Sequence, residues 1–82
     1  MTTPQSIHDG IASGLPCEHL HVDGDGHHFE AVIVSDKFEG HSRIERHRLV
    51  YAALGDRMRQ EIHALSMRTL TPAEWQAVGG AS

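Results

Sequence analysis

Cysteine occurs once in the 82 residues, at Cys17, so no disulfide can close within the chain. A reducing, cytoplasmic setting is the expectation. No apolar run is long enough to span a membrane, and no charged-then-apolar leader opens the sequence. Positive charge is scarce: 7 Lys and Arg stand against 11 Asp and Glu, a net charge of −4 with histidine neutral. Free-standing nucleic-acid binders usually carry the opposite sign, because phosphate neutralisation supplies most of their affinity. Enzyme signatures are missing too. There is no phosphate-binding glycine loop, no Cys-x-x-Cys, no His-Glu-x-x-His and no Gly-x-Ser-x-Gly. These absences argue for a binding or adaptor protein rather than an enzyme. With 82 residues the chain has room for one small domain, over residues 2–78, with a disordered tail at 79–82.

Histidine is what the chain has in excess, with eight residues. It titrates near neutrality and ligates metals, so its placement along the elements matters. The first element is a short amphipathic helix: Thr2 or Thr3 caps it, Pro4 suits its first position, and Ile7, Ile11 and Leu15 recur every four residues. Gly10 and Gly14 weaken that helix, and it ends near Gly14 and Pro16.

From Glu18 to Ser35 the pattern is a hairpin. Leu20 and Val22 alternate with His19 and His21, and Asp23-Gly24-Asp25-Gly26 supplies two Asp-Gly pairs suited to positive backbone angles. The second strand, Phe29–Val34, carries the apolar run of a central strand. A main helix covers Gly40–Gln60, capped by Ser42 with Glu45 three residues on. Its apolar face holds His47, Val50, Tyr51, Leu54 and Met58, with a bend or break expected at Gly55. A third strand follows at Ile62–Leu70, with His63, Leu65, Met67 and Thr69 on one side. Thr71-Pro72-Ala73-Glu74 then starts a last helix, with Trp75 folding back as an apolar anchor.

The order αββαβα makes an α+β fold. A helical crossover between the second and third strands joins parallel neighbours, which gives a three-stranded mixed sheet packed with helices. That order resembles KH-like RNA-binding domains, which clamp nucleic acid with a Gly-x-x-Gly loop. The corresponding stretch here, KFEGHSRIER, has the single glycine Gly40, so the clamp is missing.

The runs VSDKFEGHSRIERHRLVYAAL and IHALSMRTLTPAEW resemble the BolA family, and the hairpin HVDGDGHHFEAVIV is similar to its short IbaG-type branch. The resemblance extends from the hairpin to Trp75. It rests on Phe38-x-Gly40, Arg46-His47 before Val50, Ile62-His63-Ala64, and Thr71-Pro72 before Trp75. It implies the class II KH-like fold without the nucleotide clamp. It also implies a partner, a monothiol glutaredoxin of the Cys-Gly-Phe-Ser type, and a shared bridging [2Fe–2S] cluster with glutathione on the partner's side. The role implied is iron–sulfur trafficking or iron regulation. Other bacterial members are transcriptional regulators tied to stress and cell shape.

A [2Fe–2S] cluster needs four ligands, generally thiolates with imidazole as a substitute. A chain with one cysteine therefore supplies a minority of them. The resemblance assigns His63 as the constant ligand and the loop between the first two strands as the source of a second, here His27 or His28. Strand alternation puts His27 on the side of Phe29 and His28 away from it. Cys17 reads as a small apolar filler, and His47 as a packed, hydrogen-bonded side chain. Arg43, Arg46 and Arg48, on the outer part of the main helix's start, read either as a solvated face or as a patch for glutathione, a partner's acidic surface or DNA. A DNA-binding regulator that uses this basic helix start is the alternative function. The free protein is expected to be a monomer or a weak homodimer.

Overall fold

A computed structural model describes residues 3–61 and 65–79, with the side chains of 56–61 left aside. Helix α1 (Pro4–Gly14) starts from a reciprocal cap. The Thr3 hydroxyl accepts from the Ser6 N–H, and the Ser6 hydroxyl accepts from the Thr3 N–H. Such caps satisfy N–H groups that the first helical turn leaves unpaired. The helix ends as expected, with the Leu15 N–H bonded to the Ile11 carbonyl. Ile7, Ile11 and Leu15 are all buried.

Strands β1 (His19–Gly24) and β2 (Phe29–Val34) form the hairpin. They run antiparallel, with His19 opposite Val34 and Gly24 opposite Phe29. Only one of the two Asp-Gly pairs behaves as expected. Gly26 takes φ 97°, whereas Gly24 belongs to the strand. Glycine is needed at position 24 for closeness: a Cβ there would lie 2.5 Å from the His28 carbonyl oxygen.

A 3₁₀ turn at Asp36–Phe38 follows, capped by the Ser35 hydroxyl. Helix α2 (Arg43–Glu61) then begins with the Ser42–Glu45 box and breaks at Gly55, where φ is 81° and ψ 164°. Strand β3 (Leu65–Leu70) pairs parallel with β2, and helix α3 (Pro72–Ala77) closes the order. The expected strand start at Ile62–Ala64 lies outside the described residues, as do residues 80–82 of the expected tail. Gly79, the first tail residue, donates its N–H to the Gln76 carbonyl in the turn after α3.

The sheet order β1-β2-β3 puts β2 in the middle. One face carries Leu20, Val22, Phe29, Ala31, Ile33 and Met67, and packs on Ile7, Ile11, Phe38, Val50 and Leu54. Burying each of the larger side chains contributes about 1.5–3 kcal/mol. α1 lies so close to α2 that a Cβ on Gly14 would come within 2.7 Å of the Ala53 Cα.

The opposite face carries rows of side chains set by the register: His19–Val34–Leu70, His21–Val32–Arg68 and Asp23–Glu30–Ser66. Trp75 of α3 covers the first row. Its ring stacks on His19 at 4.6 Å, and Val34, opposite His19 in that row, is fully buried. The expected apolar anchor is thus half-buried and aromatic in its contact. Among the described residues no helix is long and apolar enough to cross a membrane.

Candidate functional site

The hairpin turn is organised by one carboxylate. Asp25 Oδ1 accepts the main-chain N–H of His27 at 2.9 Å and of His28 at 2.8 Å. The Asp25 N–H in turn donates to the His28 carbonyl. The His28 and then the His27 N–H hold the Asp25 carboxyl below its ordinary range. The turn therefore grips both histidines by their backbones, and both residues are exposed. Neither belongs to a strand, so the alternation expected to separate them does not apply.

His63 lies outside the described residues, but the strand it precedes does not. Leu65, two residues on, pairs with Phe29, the residue after His28. The chain thus enters β3 at the sheet end where the histidine turn closes. Among the described residues no group of three or more His, Cys, Asp or Glu side chains is arranged to hold a metal ion. Cys17 is half-buried, its thiol donates to the Leu15 carbonyl at 3.3 Å, and burial pushes its pKa up. Its packing against the core suits the small apolar filler expected of it.

The three arginines of the α2 start do not share one environment. Arg43 and Arg48 are exposed as expected. Arg46 is not on the outer part of the helix: its side chain is only 14% exposed. Nε donates to the His41 carbonyl at 3.0 Å, and Nη1 to the Thr69 carbonyl at 3.1 Å and to Glu74 Oε1 at 2.7 Å. The guanidinium also lies over the Phe38 ring, 5.9 Å from its centroid. Arg48, two residues on, is turned about 200° away and faces out, whereas Arg43 shares the side of Arg46 and lies at its exposed end, both lining one groove.

His47 is half-buried as expected but differs in its bonding. Its buried Nε2 has no hydrogen-bond partner among the described residues. No signal in its own neighbourhood of the sequence reports this, since the partner question is set by tertiary packing.

A groove of about 600 Å³ runs between the α2 start, the outer side of β3 and α3. Arg43, Arg68 and His41 bring positive or titratable groups to it, and Met67 and Val78 bring apolar surface. Arg68 was not among the expected site residues. The available signal was an arginine inside a strand that must lie at a sheet edge.

The family model described as BolA-like protein matches residues 7–74. The acid stress protein IbaG of Escherichia coli K12 is 37% identical over 70 residues, covering 84% of this chain and 83% of that protein. The DNA-binding transcriptional regulator BolA of the same organism is 38% identical over 55 residues, covering 67% of this chain and 52% of that protein. Among solved structures, a bolA protein homologue from Coxiella burnetii superposes with a TM-score of 0.80 at 48% identity, covering 93% of this chain and 99% of that one.

Proposed function

The chain belongs to the BolA family, and from that premise we propose that it is an adaptor in iron–sulfur trafficking or iron regulation. In this reading it pairs with a monothiol glutaredoxin of the Cys-Gly-Phe-Ser type. It contributes His63 and one of His27 and His28 to a bridging [2Fe–2S] cluster, the partner side contributing thiolates from its cysteine and from glutathione.

The observation that carries the reading is the register of Leu65 opposite Phe29. Two residues of chain reach at most about 7 Å. Positions 63 and 27–28 are each within two residues of that pair in sequence, which supports a shared ligand role at one end of the sheet. The donor set fits a shared cluster and not a resident one. Imidazoles are available in the exposed turn, while the one thiol is half-buried and its pKa is pushed up by burial. Imidazole ligands hold a cluster less tightly than thiolates and let go on protonation, which suits transfer.

The test is the visible absorbance and circular dichroism of this protein purified together with such a glutaredoxin. A spectrum identical to that of the glutaredoxin's own cluster, with no contribution from this chain, would sink the adaptor reading.

A second reading, DNA-binding regulation, is favoured by the exposed Arg43 and Arg48 and by the Arg43–Arg68 groove. Its binding should be weak and steeply salt-dependent, because few cations are free to displace counterions. Nanomolar, sequence-selective binding to duplex DNA at physiological salt would place this reading first.

A further inference from the structure

The outer side of β3 is an unpaired edge. In a parallel ladder, the N–H and C=O of alternate residues point to the same neighbour. The Leu70 carbonyl accepts the Ser35 N–H, so Ser66, Arg68 and Leu70 turn their main chains toward β2. Leu65, Met67 and Thr69 then turn theirs outward. The Thr69 carbonyl confirms this parity, because it is taken from outside the sheet by Arg46. The Met67 N–H and C=O and the Thr69 N–H have no partner among the described residues.

This free stretch forms the floor of the groove described above. Its walls carry Arg43 and Arg68, both exposed, and Val78, which is 57% exposed. The one carboxylate on its lining among the described residues, Glu74, is already held by Arg46. The groove therefore offers main-chain hydrogen bonds along its length, unneutralised cations at its sides and an apolar contact near one end.

We propose that this edge is a docking strand for an extended acidic segment of a protein partner, which adds to the sheet beside β3. Such strand addition takes its affinity from main-chain bonds and its selectivity from side-chain contacts. Arg46 sets one end of the site by occupying the Thr69 carbonyl. Complementary charge selects an acidic segment, and the exclusions point the same way. A second copy of this chain, paired β3 to β3, would bring Arg43 and Arg68 against their own kind, the usual protection of an edge against self-association. Single-stranded nucleic acid needs aromatic platforms for its bases, and among the described residues no Phe, Tyr or Trp lines the groove. The proposal does not depend on the cluster reading, since Met67–Leu70 runs away from the sheet end where Phe29 meets Leu65.

The test uses the full chain labelled for amide spectroscopy, with a synthetic peptide of alternating Glu and Val as probe. Added peptide should shift the Met67 and Thr69 amides and protect them from hydrogen exchange. Methylating alternate peptide nitrogens should abolish binding in one phase of the alternation and leave it intact in the other, which distinguishes strand addition from loose charge attraction. The doubly reversed variant Arg43→Glu, Arg68→Glu should keep its amide spectrum and weaken binding by roughly tenfold or more. The proposal is overturned if a matching uncharged peptide of alternating Gln and Val binds as well as the Glu–Val peptide. Equal effects of the two methylation patterns, shifts confined to other surfaces, or an oligo-dT strand that binds the groove more tightly than the peptide would overturn it too.

Discussion

The Arg46 guanidinium and the Glu74 carboxylate meet at 2.7 Å across 28 positions of sequence, tying the start of α2 to the start of α3. The same carboxylate oxygen accepts the Thr71 N–H at 2.8 Å, so one Glu74 oxygen serves both a helix cap and a tertiary contact. Arg46 also reaches the carbonyls of His41 and Thr69, which connects the loop, the sheet edge and two helices through one side chain.

Arg46→Ala should therefore destabilise the fold, by about 1.5–3 kcal/mol for the lost charged bonds to main-chain carbonyls. Arg46→Lys should recover only part of this, because an ammonium cannot reproduce the planar fork. Arg48→Ala, on the exposed side of the same helix, should change little. Urea unfolding of the three variants checks the order, and equal stability of Arg46→Ala and Arg48→Ala would contradict it.

Acid should weaken the protein through three carboxylates. Glu74 is held below its ordinary range by the Arg46 guanidinium and then the Thr71 N–H, Asp25 by the His28 and His27 N–H groups, and Glu45 by the Ser42 N–H. Because the folded forms bind protons less readily, the unfolded chain takes up more protons through the carboxylate range. The stabilisation is complete above the unfolded values, about pH 4–4.5, and is lost as pH falls through the lower folded values. Thermal midpoints should drop between about pH 5 and pH 3. Glu74→Gln should make that drop shallower, and an unaltered pH profile in this variant would mean that the pair contributes no pH-dependent stability.

What local pattern could carry was legible. Phe29–Val34 shows its bounds because an apolar run sits between a turn and Ser35, and the caps at Thr3, Ser42 and Thr71 announce themselves by spacing. The turn histidines were legible too, being adjacent to the Asp-Gly pairs. Arg46 was not, since its sequence context differs little from that of Arg43 and Arg48 while its partner lies 28 positions away. The role of Gly24 was misread for a similar reason. A glycine required by a neighbour's carbonyl looks the same in sequence as one required by a positive φ. The β3 groove escaped because its free groups are main-chain groups, which no side-chain motif marks.

The α1–α2 contact gives a third test. Leu54 is 6% exposed, and its Cδ2 would lie 3.1 Å from a Cβ on Gly10. Leu54→Asp should cost about 3 kcal/mol or more by burying an unpaired charge, enough to unfold a small domain. Gly14→Ala should cost about 1–3 kcal/mol, because the Ala53 main chain it would strike cannot swing away as a side-chain tip can. Loss of far-ultraviolet dichroism at room temperature checks the first, and a lowered thermal midpoint the second. A Leu54→Asp variant with unchanged stability would mean that this face does not bear the core.

The cluster reading makes its sharpest claim at His63. His63→Ala should abolish the mixed-ligand spectrum of the reconstituted pair while leaving the affinity for cluster-free glutaredoxin largely intact. The reasoning separates two kinds of contact. Partner binding is spread over a surface, so a single imidazole contributes little to it. A cluster has only four ligand positions, and water replaces imidazole poorly. Replacing His27 and His28 together should give a milder loss. Those residues sit in an exposed turn whose backbone is held by Asp25, and that turn can offer another donor or admit one from the partner. Reconstitution of each variant with the glutaredoxin, followed by its charge-transfer bands, provides the measurement. An unaltered spectrum in His63→Ala would move the ligand elsewhere. Cys17 would then be the next residue to replace, even though its raised pKa and its bond to the Leu15 carbonyl make it the poorer donor.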